Sequence, residues 1–382
     1  RDPLWSRGLG DVYKRQQDAI EAQSAAIRRF ESMLAAEGVQ IVKLWFHLSA
    51  KAQKERAQRL LASPETSWQV SPVDLKVYKR YDRIRAGGQV VINHTDSGHA
   101  PWVVIPSADE NLRSARTAEA VLAAMRQRGV PRIPQSFLAH SAPARIVDRL
   151  GELDYEARVD KGDYESELGL LQGRLARAAR SKKFQDRSLV LVFEGQDAAG
   201  KGGAIRRVTH ALDARQFDIT PVAAPNSYEL SRPYLWRFWR QLPRHGRVAI
   251  FDRSWYGRVL VERVEKLTAP AHWRRAYAEI NDFEEQLAAS GAIVLKFWLA
   301  VTADVQLERF KEREKSPFKN FKITPDDWRN RDKWKEYAAA ANEMLARTDV
   351  AHAPWHLVSA NDKRYARLQV LRHVVEAMEN QL

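Results

Sequence analysis

The chain contains no cysteine among its 382 residues, which excludes disulfides, thiolate catalysis and cysteine-ligated zinc. It also lacks any apolar run of the ~18 residues that a membrane-spanning helix needs, and no signal peptide opens it. We therefore expect a cytoplasmic protein. Negative charge is in short supply, since 48 Asp and Glu face 62 Lys and Arg, a formal net charge of +14. This excess predicts anionic partners, and charge alone does not choose among nucleic acid, a membrane surface and a phosphate-rich substrate.

The first 16 residues, RDPLWSRGLGDVYKRQ, show neither helical nor strand periodicity, and Arg1 stands where an initiator Met is expected. We interpret residues 1–16 as a candidate non-native leader of an N-terminally truncated chain. The total length is large for one compact core, so two domains are expected.

Two distant parts of the chain repeat each other at an offset of 253 residues. GVQIVKLWFHLSA (38–50) aligns with GAIVLKFWLAVTA (291–303), and HAPW occurs at both 99–102 and 352–355. One register held over about a hundred residues indicates homologous units. We predict a C-terminal half-domain at 17–128, a proline-containing linker at 129–147 and a complete domain at 148–382.

The complete domain alternates buried apolar runs with helical patterns. SLVLVF, RVAIFD and AIVLKFWLA read as buried strands, separated by segments such as HWRRAYAEINDFEEQLAAS. This alternation predicts an α/β fold of the nucleotide-kinase type, with a parallel sheet between two helical layers.

A glycine-rich loop, GQDAAGKGG (195–203), follows the first of these strands and precedes a helix. It fits the Walker A spacing G-x-x-x-x-G-K, in which backbone N–H groups and a lysine cradle phosphate. The alternative is a glycine-rich turn without a ligand. The expected phosphate-binding residues are Gly195, Gly200, Lys201, Gly202 and Gly203.

Gly202 occupies the position where a nucleotide-triphosphate enzyme usually keeps a Ser or Thr for magnesium. Another Mg²⁺ ligand is therefore needed, and Asp197 in the loop and Asp252 at the end of RVAIFD are suitable oxygen donors. One of the two could instead activate the attacking phosphate. Asp197 could also be a helix cap, and Asp252 a turn residue beside Arg253.

A basic segment follows the penultimate strand. From Arg309 to Lys335 ten Lys and Arg face five Asp and Glu. The segment reads either as a solvated helix face or as a lid whose Arg313 and Lys315 neutralise transferring phosphates. In the first copy these two cations align with Leu60 and Ala62, so we expect the first copy to be catalytically inactive.

Three motifs in this order, GQDAAGKGGAIRRVTHALDARQF, FDRSWYGRVLVERVE and FKEREKSPFKNFKITPDDW, resemble the polyphosphate kinase 2 family. The resemblance covers residues 150–382, with the partial repeat at about 20–126. It implies a P-loop kinase-like three-layer α/β/α domain with a helical lid, preceded by half of a second homologous domain. The fused form resembles the branch that phosphorylates AMP to ADP.

Within that resemblance, the glycines and Lys201 hold phosphate, and Asp197 and Asp252 hold Mg²⁺ or activate the acceptor. Contacts with the phosphates are implied for Arg253, Arg313 and Lys315. Looser candidates for the nucleotide are Arg206, Arg207, Asn226 and Glu229. The implied partners are inorganic polyphosphate and AMP/ADP, with no nucleic acid and no membrane, and the implied assembly is a homo-oligomer.

Three alternatives stay open at this point. Phosphorylation of a histidine would single out His210, although a histidine on a helix surface is more often structural. An ATP-dependent nucleoside-monophosphate kinase would have a similar fold and loop. A polyanion-binding module would keep the basic surface without the chemistry.

Overall fold

The computed structural model describes residues 4–126, 146–318 and 320–382. The chain divides into two compact units, Arg1–Gln135 and Ser136–Leu382. Most of the linker predicted at 129–147 lies outside the described residues, and the predicted domain bounds stay predictions. Among the described residues no helix is long and apolar enough to cross a membrane.

The first unit has two parallel strands, with Lys43 opposite Trp102. Its elements are α1 (Leu4–Ala36), β1 (Lys43–His47), α2 (Ala50–Leu61), α3 (Pro72–Tyr78), α4 (Tyr81–Thr95), β2 (Trp102–Pro106) and α5 (Glu110–Arg126). Residues 4–16 belong to α1, although their sequence shows no helical periodicity. Once a helix is nucleated each added residue costs little, and no proline follows Pro3 in this stretch. The non-native origin of these residues stays a prediction.

The second unit contains a five-stranded, fully parallel sheet in the order β4-β5-β3-β6-β7. Its strands are β3 (Ser188–Gly195), β4 (Phe217–Pro221), β5 (Val248–Asp252), β6 (Ala292–Ala300) and β7 (Trp355–Ser359). Its helices are α6 (Lys161–Ala179), α7 (Lys201–Thr209), α8 (Ser227–Leu230), α9 (Trp236–Trp239), α10 (Val261–Val264), α11 (Pro270–Ala289), α12 (Ala303–Lys315), α13 (Pro325–Asp332), α14 (Trp334–Thr348) and α15 (Lys363–Gln381).

Alternate residues of the central strands enter two different cores. Leu191 and Phe297 join the core beneath α6, α7 and α15. Lys296, one residue before Phe297, points the other way and reaches Glu284 of α11 and the Thr348 carbonyl of α14. Because successive side chains of a strand face opposite sides, the sheet lies between two helical layers. The predicted three-layer α/β/α fold is confirmed.

The repeat is visible in the structure of each unit. The helices α2, α3, α4 and α5 have counterparts 253 residues later in α12, α13, α14 and α15, and β1 and β2 have counterparts in β6 and β7. The buried ion pair recurs too: Lys43 lies 2.8 Å from Glu31, and Lys296 lies 2.7 Å from Glu284. The homology of the two units, predicted from the sequence, is confirmed.

Candidate active site

The glycine-rich loop joins the end of β3 to the start of α7. Gly195 has φ 133°, and a Cβ there would lie 2.1 Å from the Leu299 carbonyl oxygen. Gly200, with φ 105°, is the N-cap of α7. Both positions require glycine. The first N–H groups of α7 have no partner within the helix, so they can bind an anion.

Lys201 folds back over this loop. Its Nζ donates to the carbonyl oxygens of Gly195 at 2.8 Å and of Gln196 at 3.2 Å. Burial lowers the pKa of this ammonium group, although Asp197 opposes the shift. The lysine is therefore held at the loop, within reach of a phosphate that the loop would bind.

Asp197 is bonded through both oxygens. Arg253 donates to Oδ1 at 2.7 Å, and Asn330 of α13 donates to Oδ2 at 2.9 Å. Burial alone would raise the pKa of Asp197, but the positive charges of Lys201 and Arg253 outweigh it and lower that pKa. The carboxylate is thus kept charged at the centre of a cationic group.

The end of β5 brings a second set of groups to the loop. Arg253 has φ 66°, a left-handed conformation that is uncommon for a residue with a side chain and recurs at functional turns. The next residue, Ser254, donates its hydroxyl to Glu194 at 2.7 Å, and burial raises the pKa of Glu194. The carboxylate of Asp252 makes no side-chain hydrogen bond or ion pair with the described residues, which leaves it available to a ligand.

The carboxylates at the loop fit a metal ion whose coordination is completed by the substrates. Within the described parts of the chain no three His, Asp or Glu side chains come together as a metal cluster. Mg²⁺ is usually held by one or two carboxylates, phosphate oxygens and water rather than by an all-protein cage. Asp252 and Asp197 match that pattern.

Two cavities within the second unit share the loop as a wall. The first, of about 100 Å³, is lined by Asp197, Arg253, Asn330 and a group of largely apolar residues that includes Leu260, Trp298, Trp334 and Tyr337. We call it the acid-side cavity. The second, of about 290 Å³, is lined by loop residues 198–200 and by Gly203, Arg309, Glu312, Arg313, Lys363 and Arg367. We call it the cationic cavity.

The basic segment forms α12 and α13, the helices expected of a lid. Arg313 lies half-buried in the wall of the cationic cavity. Lys315, two residues later, is exposed and lines neither cavity. The structure therefore brings one of the two predicted lid cations to the loop.

Two residues of α12 that the sequence did not single out hold the loop from behind. Gln306 donates to the Asp197 carbonyl at 3.0 Å. Arg309 donates through one nitrogen to the Ala198 carbonyl at 2.9 Å and through the other to the carbonyls at 360 and 361, at 2.7 and 2.8 Å. A signal was available, because the same residue types occur at Gln53 and Arg56 in the first copy. Retention in a copy that lost its cations indicates a structural role.

The looser candidates line neither of these two cavities, although Arg207 donates to the Gly203 carbonyl at 3.3 Å. Arg206 and Arg207 line a separate groove of about 480 Å³ beside α6. Asn226 and Glu229 form a capping box at the start of α8, and Glu229 also lies 3.6 Å from Arg237. These contacts account for the side chains without a nucleotide, so their binding role stays a prediction. His210 is the C-cap of α7, at the end of the helix opposite the loop.

Comparisons with known proteins agree with this geometry. The family model described as polyphosphate kinase 2 matches residues 12–132 and 158–382. A polyphosphate:AMP phosphotransferase of Pseudomonas aeruginosa is 49% identical over 381 residues, which cover 98% of this chain and 76% of that protein. The phosphotransferase of the same name from Acinetobacter johnsonii is 43% identical over 354 residues, covering 92% and 71%.

A solved structure is similar along nearly the whole chain. The crystal structure of a polyphosphate kinase 2 from Pseudomonas aeruginosa superposes with a TM-score of 0.80 at 47% identity. The superposition covers 99% of this chain and 74% of that one. With the loop, the strand-end acid and the helical lid in the second unit, and with the family model matching residues 12–132 and 158–382, the chain belongs to the polyphosphate kinase 2 family.

Proposed function

We propose that the chain transfers a phosphoryl group from inorganic polyphosphate to AMP, giving ADP, with Mg²⁺ as cofactor. The observation that carries the proposal is the pair of different cavities on one phosphate loop. A phosphotransferase needs a donor and an acceptor site that meet at the transferred group. The relatives named polyphosphate:AMP phosphotransferase support the same pair of substrates.

The cationic cavity suits the polyphosphate donor. Arg313, Lys363 and Arg367 line it together with the start of α7, and the chain's net charge of +14 attracts polyanions from a distance. A Cβ at Gly203 would lie 3.4 Å from the Arg367 guanidinium, so the glycine leaves room for this cation beside α7. Binding by such a set of cations weakens as salt rises.

The acid-side cavity suits the nucleotide acceptor. Trp298, Trp334 and Tyr337 supply apolar and aromatic surface for a base and ribose. Arg253, at the edge of the same cavity, can hold the acceptor phosphate. The acceptor oxygen would then face the terminal phosphorus of the polyphosphate across the loop.

Catalysis by these residues is a matter of placement and charge. The loop N–H groups and Lys201 hold the donor phosphates, and Arg253 holds the acceptor in line, so that charge on the transferred group meets fixed positive groups. Bound Mg²⁺, which Asp252 and Asp197 would hold, supplies further neutralisation of the phosphate oxygens. Transfer is direct, without a covalent enzyme intermediate.

The test is ADP formation from AMP and Mg²⁺ with either polyphosphate or ATP as donor. We expect ADP with polyphosphate, loss of turnover in Lys201→Ala and after chelation of Mg²⁺, and full activity in Lys183→Ala, an exposed lysine before β3. ADP with ATP alone would make the protein a nucleoside-monophosphate kinase. Binding of polyphosphate without ADP from either donor would make it a polyanion-binding module. The cytoplasmic location, the homo-oligomer and the lack of a nucleic-acid partner stay predictions.

A further inference from the structure

Asn330 is the residue through which the lid helix α13 reaches the loop acid. Its amide nitrogen donates to Asp197 Oδ2 at 2.9 Å, while Arg253 donates to Oδ1 at 2.7 Å. The carboxylate is therefore held on one side by the lid and on the other by the end of β5. The start of α13 does not need the Asn330 contact, because the helix has its own capping box at Thr324.

A second side chain fixes the direction of the amide. The Tyr337 hydroxyl donates to Asn330 Oδ1 at 3.1 Å. A carboxylate only accepts hydrogen bonds, so the nitrogen must face Asp197 and the oxygen must face the hydroxyl. The hydroxyl also lies within hydrogen-bond distance of Glu265 Oε1, at 3.3 Å, while Lys333 binds the other oxygen of Glu265 at 2.6 Å. The single hydroxyl proton is therefore shared, and Asn330 Oδ1 is the nearer of its two acceptors.

The internal repeat supplies a natural control. At the 253-residue offset Asn330 aligns with Val77 and Tyr337 aligns with Ile84. The first copy has therefore lost this pair along with the lid cations. It has kept the counterparts of the two residues that hold the loop backbone, Gln306 and Arg309. Asn330 and Tyr337 are thus absent from the first copy like the predicted lid cations, whereas the residues that hold the loop backbone are present in both copies.

We propose that Asn330 is a positioning residue of the phosphoryl transfer: with α13 over the loop, its amide holds the Asp197 carboxylate in place beside Arg253, and Tyr337 holds the amide. The inference rests on the proposed function. It assigns the lid a second task beside charge neutralisation, which is to complete the hydrogen bonds of the loop acid. Without this contact both substrates bind, but the reacting groups are misplaced.

The test is steady-state kinetics of ADP formation by the full chain, with AMP and polyphosphate varied in turn. Asn330→Val installs the residue of the first copy, and Asn330→Leu keeps the shape while removing the donor. We expect kcat to fall about tenfold or more in both, with each KM within about twofold of wild type, because alignment rather than binding is lost. Asn380→Val, at the exposed end of α15, is the matched control and should match wild type.

Tyr337→Phe tests whether the Tyr337 hydroxyl acts by holding the Asn330 amide. It should lower kcat by a smaller factor than Asn330→Val does. The double variant should be no slower than Asn330→Val alone, because Tyr337 acts through Asn330. Thermal unfolding of every variant separates this role from a structural one, and we expect the same midpoint in Asn330→Leu as in wild type.

Three kinetic results would overturn the inference: an unchanged kcat in both Asn330 variants, a rise in KM that accounts for the whole loss, or multiplicative losses in the double variant. Activity lost in proportion to thermal stability would overturn it too. A wild-type chain that makes no ADP from polyphosphate and AMP would refute the proposed function itself, and the inference with it.

Discussion

Replacing Arg309 by methionine should loosen the phosphate loop while leaving its own residues untouched. Arg309 is only 6% exposed, and its guanidinium donates three hydrogen bonds of 2.7 to 2.9 Å to carbonyls at 198, 360 and 361. Those carbonyls belong to the loop and to the segment after β7, so one side chain connects the two. Methionine fills a similar volume but cannot donate.

The expected loss in unfolding free energy is about 3 kcal/mol. A hydrogen bond from a charged donor contributes roughly 1.5–3 kcal/mol, and three are lost. The desolvation of a buried cation, which also lowers the pKa of Arg309, disappears with the guanidinium and offsets part of that sum. The remaining cost falls on the loop, so kcat should fall as well.

The assay is urea denaturation of wild type, Arg309→Met and Arg313→Met, with hydrogen exchange of residues 195–203 as the local measure. Arg313 is the control, because it lies one turn later on α12 and faces the cationic cavity. Arg313→Met should keep the stability and raise the KM for polyphosphate. Arg309→Met should lose stability and exchange faster in the loop. Equal stability of Arg309→Met and wild type, with unchanged loop exchange, would refute the reasoning.

Three further changes have definite expected outcomes. Burial, assisted by His373, lowers the pKa of His356 from 6.5 to about 4. The contribution of the neutral ring to stability is therefore complete above pH 6.5 and is lost as the pH falls towards 4. Because the ring is only half-buried, His356→Val should lose about 1 kcal/mol less unfolding free energy than wild type in urea titrations between neutral pH and about pH 5. Glu284→Gln leaves the fully buried Lys296 ammonium without its counter-charge and should cost about 3–5 kcal/mol in the same titration, and a cost under about 1 kcal/mol would contradict the paired state. Gly195→Ala places a Cβ 2.1 Å from a strand carbonyl, so ADP formation should be lost, and a variant with wild-type activity would show that the loop can move.

The architecture was predictable because its signals are local. Buried strands read as continuous apolar runs, and the glycine loop occupies a fixed place between a strand and a helix. The repeat, which is visible in the amino-acid sequence, indicated two homologous units. The place of Asp252 at the end of a strand was also predictable from the sequence, and the carboxyl ends of parallel strands meet at one edge of the sheet.

The contacts of the lid were not predictable in the same way. Lys315 and Arg313 are two residues apart, and only the second lies in a cavity wall, because the end of α12 turns one side chain towards the loop and the other towards solvent. Charge in the sequence marks a basic segment without saying which cations meet the substrate. Asn330 carries no charge, lies 133 residues from Asp197, and gave no local signal.

Comparing the two copies separates residues that stabilise the fold from residues proposed to take part in the reaction. A fold needs its buried ion pair, and Lys43 with Glu31 repeats the pair of the second unit. The proposed chemistry uses Arg313 and the Asn330 amide, and the first copy has Leu60 and Val77 at those positions. Because selection on stability and selection on turnover act on different residues, the residues that the first copy lacks are candidates for the reacting group. By that criterion Asn330 belongs with the phosphate-binding residues, although it carries no charge and need not touch a phosphate.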